Sequence, residues 1–452
     1  MLFDGLDKKN NRYMVGYDLG EMASQISFCT LNQNEPETLP IVAGTEEYNI
    51  PTVLCKRTEV NQWFYGKEAL KHIQDGDGIQ VDHLLSKAYD GSMVVIEEQE
   101  YDPVALLALF VKKSFHLFGL IAPMDKIEIL VITTRLFDAR MVDVLEQVVG
   151  ALGLRTNRIF FQNYAESFYN YMLHQSRDLW KGKSIIFDYG RDFLRGYFLE
   201  YNTRTTPVVA FVQEKEWEQY RLPEWPEEEA AMQIEKEQLD ERFLMDIRPE
   251  FQNQFITAVY LVGDGFEGEW AEKSLQFLCR GRRVFRGNNL YSKGAAYSAM
   301  EKLCPSEAGK QHVFLGREKL KANIGLQVVK DGQESYKALI DAGVNWYDVK
   351  GAYQFILESG DSFMMTVTPL AHVFPEKTPA GKYPVRNIEI ELRGLPERPK
   401  RATRLEIRFY MKDVEHLEIE VEDLGFGEII KGTHHVWTKE IVTSEIVTSG
   451  EA

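Results

Sequence analysis

Val15-Gly16-Tyr17-Asp18-Leu19-Gly20 is an apolar, β-type run that ends in a tight turn built from Asp and Gly. The same design returns as Ile185-Ile186-Phe187-Asp188-Tyr189-Gly190 and as Tyr260-Leu261-Val262-Gly263-Asp264-Gly265. Glycine permits turns that a side chain forbids and lets backbone N–H groups approach an anion. Aspartate at a strand end can reach a hydrated Mg²⁺ through a carboxylate oxygen. Taken singly, each of these is an ordinary β-turn. Two Asp-Gly corners facing each other across a cleft, with the third nearby, would clamp the phosphates of a nucleotide.

A chain of 452 residues exceeds the length over which one core keeps growing, so two or three domains are expected. The net charge of −17 argues against a nucleic-acid or anionic-membrane surface, because phosphate contacts need clustered Lys and Arg. No apolar run approaches the roughly 20 residues of a membrane helix. Met1 to Arg12 is polar and lacks the apolar core of a signal peptide. Cys29, Cys55, Cys279 and Cys304 have no metal-site spacing. They read as plain buried or half-buried thiols in a reducing compartment, which points to the cytoplasm.

Residues 13–58 alternate in short strand-like bursts. Helical spacing covers 101–120 and 138–152, with Gly153 as a C-cap, and the aromatic-rich 163–174. Residues 184–212 read as three strands joined by turns. Glu214 to Glu237, with Trp217, Trp225 and an acidic run, is a composition break: a partner-docking segment or a cover for the core, leading into a helix over 227–248. A strand with its turn follows at 260–265, then a helix over 267–278, a strand at 283–285 and a small-residue helix around Gly294-Ala295-Ala296. The basic stretch Arg280 to Arg286 is a solvated face. From Ile324 the pattern becomes alternating β runs, such as Leu405-Glu406-Ile407-Arg408-Phe409 and Leu417-Glu418-Ile419-Glu420-Val421. Over about 100 residues this predicts a β-sandwich. The tail repeats Glu-Ile-Val-Thr-Ser at 440–444 and 445–449 and reads as a loose end.

The order of these pieces resembles the Hsp70 branch of the actin/hexokinase-like ATPase superfamily over roughly residues 13–430. Val15 to Gly20 is similar to the first phosphate loop and Ile185 to Gly190 to the second. Tyr260 to Gly265 with Gly294-Ala295-Ala296 resembles the adenosine-side motif. Ile50-Pro51-Thr52-Val53 followed by Phe64 to Ala69 resembles the approach to the catalytic lysine, which falls near Leu70, with Lys71 and Lys67 beside it. Ile324-Gly325-Leu326, Leu392-Arg393-Gly394-Leu395-Pro396 and Glu422 to Gly427 resemble strands of the peptide-binding sandwich.

The resemblance implies a two-lobed α/β actin/Hsp70-like ATPase fold with ribonuclease H-like lobes, followed by an all-β sandwich. The nucleotide-binding domain would span 13–308, with lobe I over 13–180 and a reduced lobe II over 181–308. A linker would run over 309–323, the sandwich over 324–432 and a tail over 433–452. ATP or ADP with Mg would bind at Gly16, Asp18, Gly20, Asp188, Gly190, Arg191, Gly263, Asp264, Gly265 and Gly294. Asp18 and Asp188 would hold the metal through water, Lys67 or Lys71 would contact the γ-phosphate and Glu166 would orient water. The sandwich would bind an extended peptide or protein client.

Several departures bear on the chemistry. Glu21-Met22 follows Gly20 where the family places hydroxyl residues, and Arg191-Asp192-Phe193 replaces the glycines of the second loop. Tyr164 falls where the family keeps its hinge glutamate. The stretch from Gly190 to Gly263 is too short for a full upper lobe, and nothing after the sandwich is long enough for the helical lid. Three readings follow: a non-catalytic, Hsp70-shaped binding protein, an active divergent ATPase, or an actin-like scaffold or polymer subunit.

Overall fold

The computed structural model describes residues 12–58, 60–330, 333–369 and 385–443. The chain divides into two units, one ending at Phe314 and one beginning at Leu315. The first is mixed α/β with several sheets, and the second is β-rich.

The two large sheets of the first unit repeat one topology. In the first, Tyr13–Asp18 is the central strand. On one side Ala23–Cys29 pairs antiparallel with it and Glu37–Thr38 antiparallel with Ala23–Cys29; Ile127–Thr134 and then Ile159–Asn163 lie parallel on the other. In the second, Lys183–Tyr189 takes the central place. On one side Leu194–Asn202 pairs antiparallel with it and Val208–Trp217 antiparallel with Leu194–Asn202, and Ile256–Val262 and Arg283–Arg286 run parallel on the other. Tyr13–Asp18 is buried throughout and Lys183–Tyr189 is buried from Ser184 onward, which explains their near-continuous apolar sequence. Each carries an aspartate at its C-terminal end: Asp18 is the last residue of the first and Asp188 the penultimate residue of the second.

Two helices tie the sheets together by crossing over. Tyr164–Leu173 leaves the last strand of the first sheet, yet its Phe168 and Met172 pack against Ile186, Tyr197 and Leu199 of the second. Leu290–Leu303 leaves the last strand of the second sheet, yet its Ala295 and Ala299 pack against Met14, Ile129 and Val131 of the first. The helices meet at Gly294, where a Cβ would lie 2.0 Å from the carbonyl oxygen of Ser167. At Gly16 a Cβ would lie 2.3 Å from the backbone of Ser292 and Ala296. Both glycines therefore serve backbone-to-backbone packing inside the molecule and not phosphate contact, which corrects their assignment to a nucleotide site.

The outer faces are covered by the expected helices. Asp102 caps Pro103–Ser114 by accepting the Val104 N–H, and Asp138 caps Ala139–Leu152 by accepting the Met141 N–H. Gly153 ends the second of these in the left-handed region, as expected. Glu229–Ile247 covers the second sheet, with Phe243 and Ile247 against Ile185 and Phe187. Trp217 and Trp225 pack against this same core, which answers to the cover reading of that segment. The helix expected from 267 begins at Glu272. The helix Gly66–Asp75 was not read from the sequence. Cys279 and Cys304 are exposed, not buried.

Two expected boundaries move. His312–Phe314, read as linker, pairs parallel to Val208–Ala210 as an edge strand of the second sheet. Val436–Val442, read as tail, pairs with His416–Glu422, so the β-rich unit runs beyond 432. The second copy of the tail duplication lies outside the described residues.

The second unit is built from two antiparallel sheets. One orders Gln333–Ile340, Ala322–Lys330, Ser362–Pro369 and Arg386–Glu391; the other orders Lys350–Leu357, Thr403–Met411 and His416–Phe426 with its two partners. Alternate residues point into a shared core, among them Ile324, Met365, Ile407 and Ile419. Met365 is thus core, and Phe363 lies with it.

One inward position of His416–Phe426 is charged. The Asp423 carboxylate is fully buried and takes both arms of the Arg398 guanidinium at 2.7 Å, with further donors from Gly425 and Thr433. Burial alone would raise its pKa; the Arg398 fork and the Thr433 and Gly425 donors outweigh burial and hold it well below the carboxylate range. The stabilisation is therefore present above the unfolded value of about 4 and drains as pH falls below it. Arg398→Ala leaves that charge unpaired and costs the second unit about 3–5 kcal/mol in urea denaturation at neutral pH. A loss below about 1 kcal/mol, the range of an exposed ion pair, would contradict this account.

Candidate functional site

The three glycine corners converge on one cleft of about 340 Å³. Its lining includes Asp18, Gly20 and Glu21 from the first corner, Asp188, Gly190 and Arg191 from the second, and Gly263 and Asp264 from the third. Gly263 has φ +92°, and a Cβ there would lie 2.4 Å from the Tyr189 carbonyl oxygen, so this corner requires glycine. Gly265 does not line the cleft; the Tyr189 ring packs directly against it.

Both aspartates are engaged by phenols. Asn163 caps the helix after the first sheet by accepting the Glu166 N–H, which fixes Tyr164 as its first residue. From there the Tyr164 hydroxyl donates to Asp18 Oδ1 at 2.8 Å. Tyr291, in the first turn of the other crossing helix, donates to Asp188 Oδ2 at 3.1 Å. The two phenol rings stack face to face, with centroids 3.8 Å apart and planes 12° from parallel. Two hydrogen bonds and one stack thus join both central strands to both crossing helices.

Burial governs the protonation of this group. It raises the Asp18 pKa to about 7, with the Tyr164 bond opposing and the Asp188 charge adding to the rise. It raises Asp188 to about 6, against the pull of Arg135 and the Tyr291 bond. Burial, and then the neighbouring Asp18 and Asp188 respectively, push Tyr164 and Tyr291 well above the ordinary phenol value. Both hydroxyls therefore stay protonated and donate.

The departures in the loops now have a geometry. Glu21 is held at the cleft wall: its carboxylate takes the Ser86 N–H at 3.1 Å and approaches His83 Nδ1 at 3.1 Å, and both partners line the cleft with it. Phe193 lays its ring against Gly190, and the Arg135 guanidinium sits 3.9 Å above that ring. The backbone approach that two further glycines would provide is filled by an aromatic side chain. The Thr134 hydroxyl, also at the cleft, is buried without a hydrogen-bond partner.

Other expected residues lie elsewhere. Lys71 is exposed on the Gly66–Asp75 helix, and Lys67 pairs with Glu47; neither lines the cleft. The register of the resemblance therefore does not bring a lysine to the phosphate position. Glu166 is buried in the first turn of its helix and is also not part of the lining. Tyr291, Arg135 and Thr134 were not singled out from the sequence. The signal for Tyr291 is topological: Tyr164 and Tyr291 both lie in the first turn of the helix that follows the outer parallel strand of each sheet.

A magnesium-bound nucleotide fits this arrangement poorly. Each aspartate has given one oxygen to a phenol, and burial pushes both toward the neutral acid. Among the residues lining the cleft, the carboxylates Asp18, Glu21, Asp188, Asp192 and Asp264 outnumber the guanidinium groups of Arg135 and Arg191.

The raised Asp18 pKa has a measurable consequence. Between about pH 4 and pH 7 the folded protein keeps a proton that the unfolded chain has released, so this group lowers stability as pH rises through that window. Asp18→Asn retains an acceptor for Tyr164 and removes the titration. Its urea-unfolding free energy is expected to gain on wild type steadily from pH 4 to pH 7 and stay above it at pH 8. A pH profile parallel to wild type would contradict the assignment.

Comparison with family models gives two matches. A family of unknown function (DUF5716), by its C-terminal part, matches residues 35–317. A domain of unknown function (DUF8552) matches residues 319–443, and the border between the two falls beside the break at Phe314 and Leu315. No curated protein matches the chain. With more than half of its length under the first match, the chain belongs to the DUF5716 family of unknown function.

Proposed function

We propose that this protein is a non-catalytic, Hsp70-like binding protein. Its first unit is a two-lobed frame of the actin/Hsp70 kind, in which the former nucleotide cleft is a structural junction. Its second unit offers a β-sandwich to an extended peptide or protein client.

The repeated strand order of the two sheets, each central strand with an aspartate at its C-terminal end, supports the two-lobed reading. The observation that carries the loss of catalysis is the Asp18–Tyr164 and Tyr291–Asp188 pairing. A hydrolytic site of this kind needs charged, water-accessible carboxylates to hold hydrated Mg²⁺ and a cation at the γ-phosphate. Here the carboxylates are buried and bonded to phenols, the second corner is filled by Phe193, and Lys67 and Lys71 lie outside the cleft.

Phosphate release from Mg-ATP, run beside isothermal titration of the same nucleotide, tests the proposal. Release at the buffer rate, unchanged by Asp188→Asn, is expected. Release well above buffer that Asp188→Asn abolishes would overturn the proposal and favour an active ATPase.

A further inference from the structure

A second cavity of the first unit lies apart from the cleft. It has a volume of about 630 Å³, within the range of small-ligand sites, and lies at the end of the second sheet remote from Asp188. Lys183 begins the central strand there, Glu200 and Tyr201 end its neighbour, and His312 begins the edge strand. We propose that this cavity binds a small planar aromatic anion, with its ring against Trp180 and Phe255 and its carboxylate or phosphate on Arg177.

Three rings make one wall. Trp180 lies 5.1 Å from His312 and 5.3 Å from Tyr201, centroid to centroid, and Tyr201 lies 6.0 Å from His312. Phe255 lines the cavity too and is 70% exposed, a large apolar surface left in water. Gly182 makes room for it: a Cβ there would lie 2.4 Å from the Phe255 carbonyl oxygen and 2.7 Å from its ring. The three wall rings meet at 45° to 87° to one another, so the flat apolar surface offered to a ligand is that of single rings, the exposed Phe255 above all.

The rim sets the sign of charge. Arg177, Lys181 and Lys183 line the cavity against one carboxylate, Glu200, in a chain whose net charge is −17. Lys181 is engaged by Asp178 at 2.7 Å and Lys183 by Glu200 at 2.5 Å. Among the described residues Arg177 has no carboxylate partner. Its planar fork matches a carboxylate or a phosphate. Aromatic walls alone would also suit an organic cation. The excess positive rim disfavours that guest and selects the anion.

Isothermal titration of the full chain with 1-naphthoate, 1-naphthyl phosphate and the neutral 1-naphthamide tests the proposal. At least one anion is expected to bind about tenfold or more tighter than the amide, and which anion wins separates a carboxylate ligand from a phosphate ester. Arg177→Gln is expected to erase that preference, and Phe255→Ala to weaken anion and amide alike. Both side chains are exposed, so these variants leave the core intact. The proposal fails if neither anion binds, if the amide binds as well as they do, or if Arg177→Gln keeps the preference.

Discussion

Two carboxylates sit at the C-terminal ends of the central strands of two sheets, and two phenols lying face to face hold them. The fold of the first unit depends on this junction because each phenol comes from a helix that packs on the other sheet. Tyr164 belongs to the helix lodged against the second sheet and bonds the aspartate of the first. Tyr291 belongs to the helix lodged against the first sheet and bonds the aspartate of the second. Moving one sheet against the other would break a hydrogen bond to a buried carboxyl, separate a stacked pair, or pull Gly294 from Ser167. Each leaves a desolvated polar group or a gap in the packing.

Burial decides what these acids can do. A carboxyl that is desolvated beside a second carboxyl drifts toward its neutral form. Asp423 in the other unit shows the opposite outcome under the same burial, because Arg398 and three further donors converge on it. The contrast lies in the partners. Phenols donate one bond each without charge and leave the aspartates able to take up protons; a guanidinium fork keeps its aspartate ionised. The first arrangement suits a structural joint more than a metal site, and the second suits a fixed buried charge in a sandwich core.

The sequence made the local features legible and left the distant ones hidden. The corners at Asp18, Asp188 and Gly263 were readable because strand runs and turn residues leave short-range patterns. The sandwich was readable for the same reason, from alternation in runs such as Leu417 to Val421. Gly16 and Gly294 were misread because glycine marks any close backbone approach, whether the neighbour is a phosphate or a helix. Tyr291 could not be paired with Asp188 from 103 residues away, and nothing in its neighbours announces the contact. Lys71 was misplaced because an offset of a few residues on an amphipathic helix moves a side chain to another face. The parallel pairing of Asp18 with Thr133 likewise leaves no local trace.

A crystal structure of the protein grown with Mg²⁺ and a non-hydrolysable ATP analogue tests the junction most directly. The account predicts Tyr164 and Tyr291 still stacked, each hydroxyl within hydrogen-bond reach of its aspartate, and no metal density between Asp18 and Asp188. Magnesium with its waters between the two carboxylates, and the tyrosines swung apart, would contradict it.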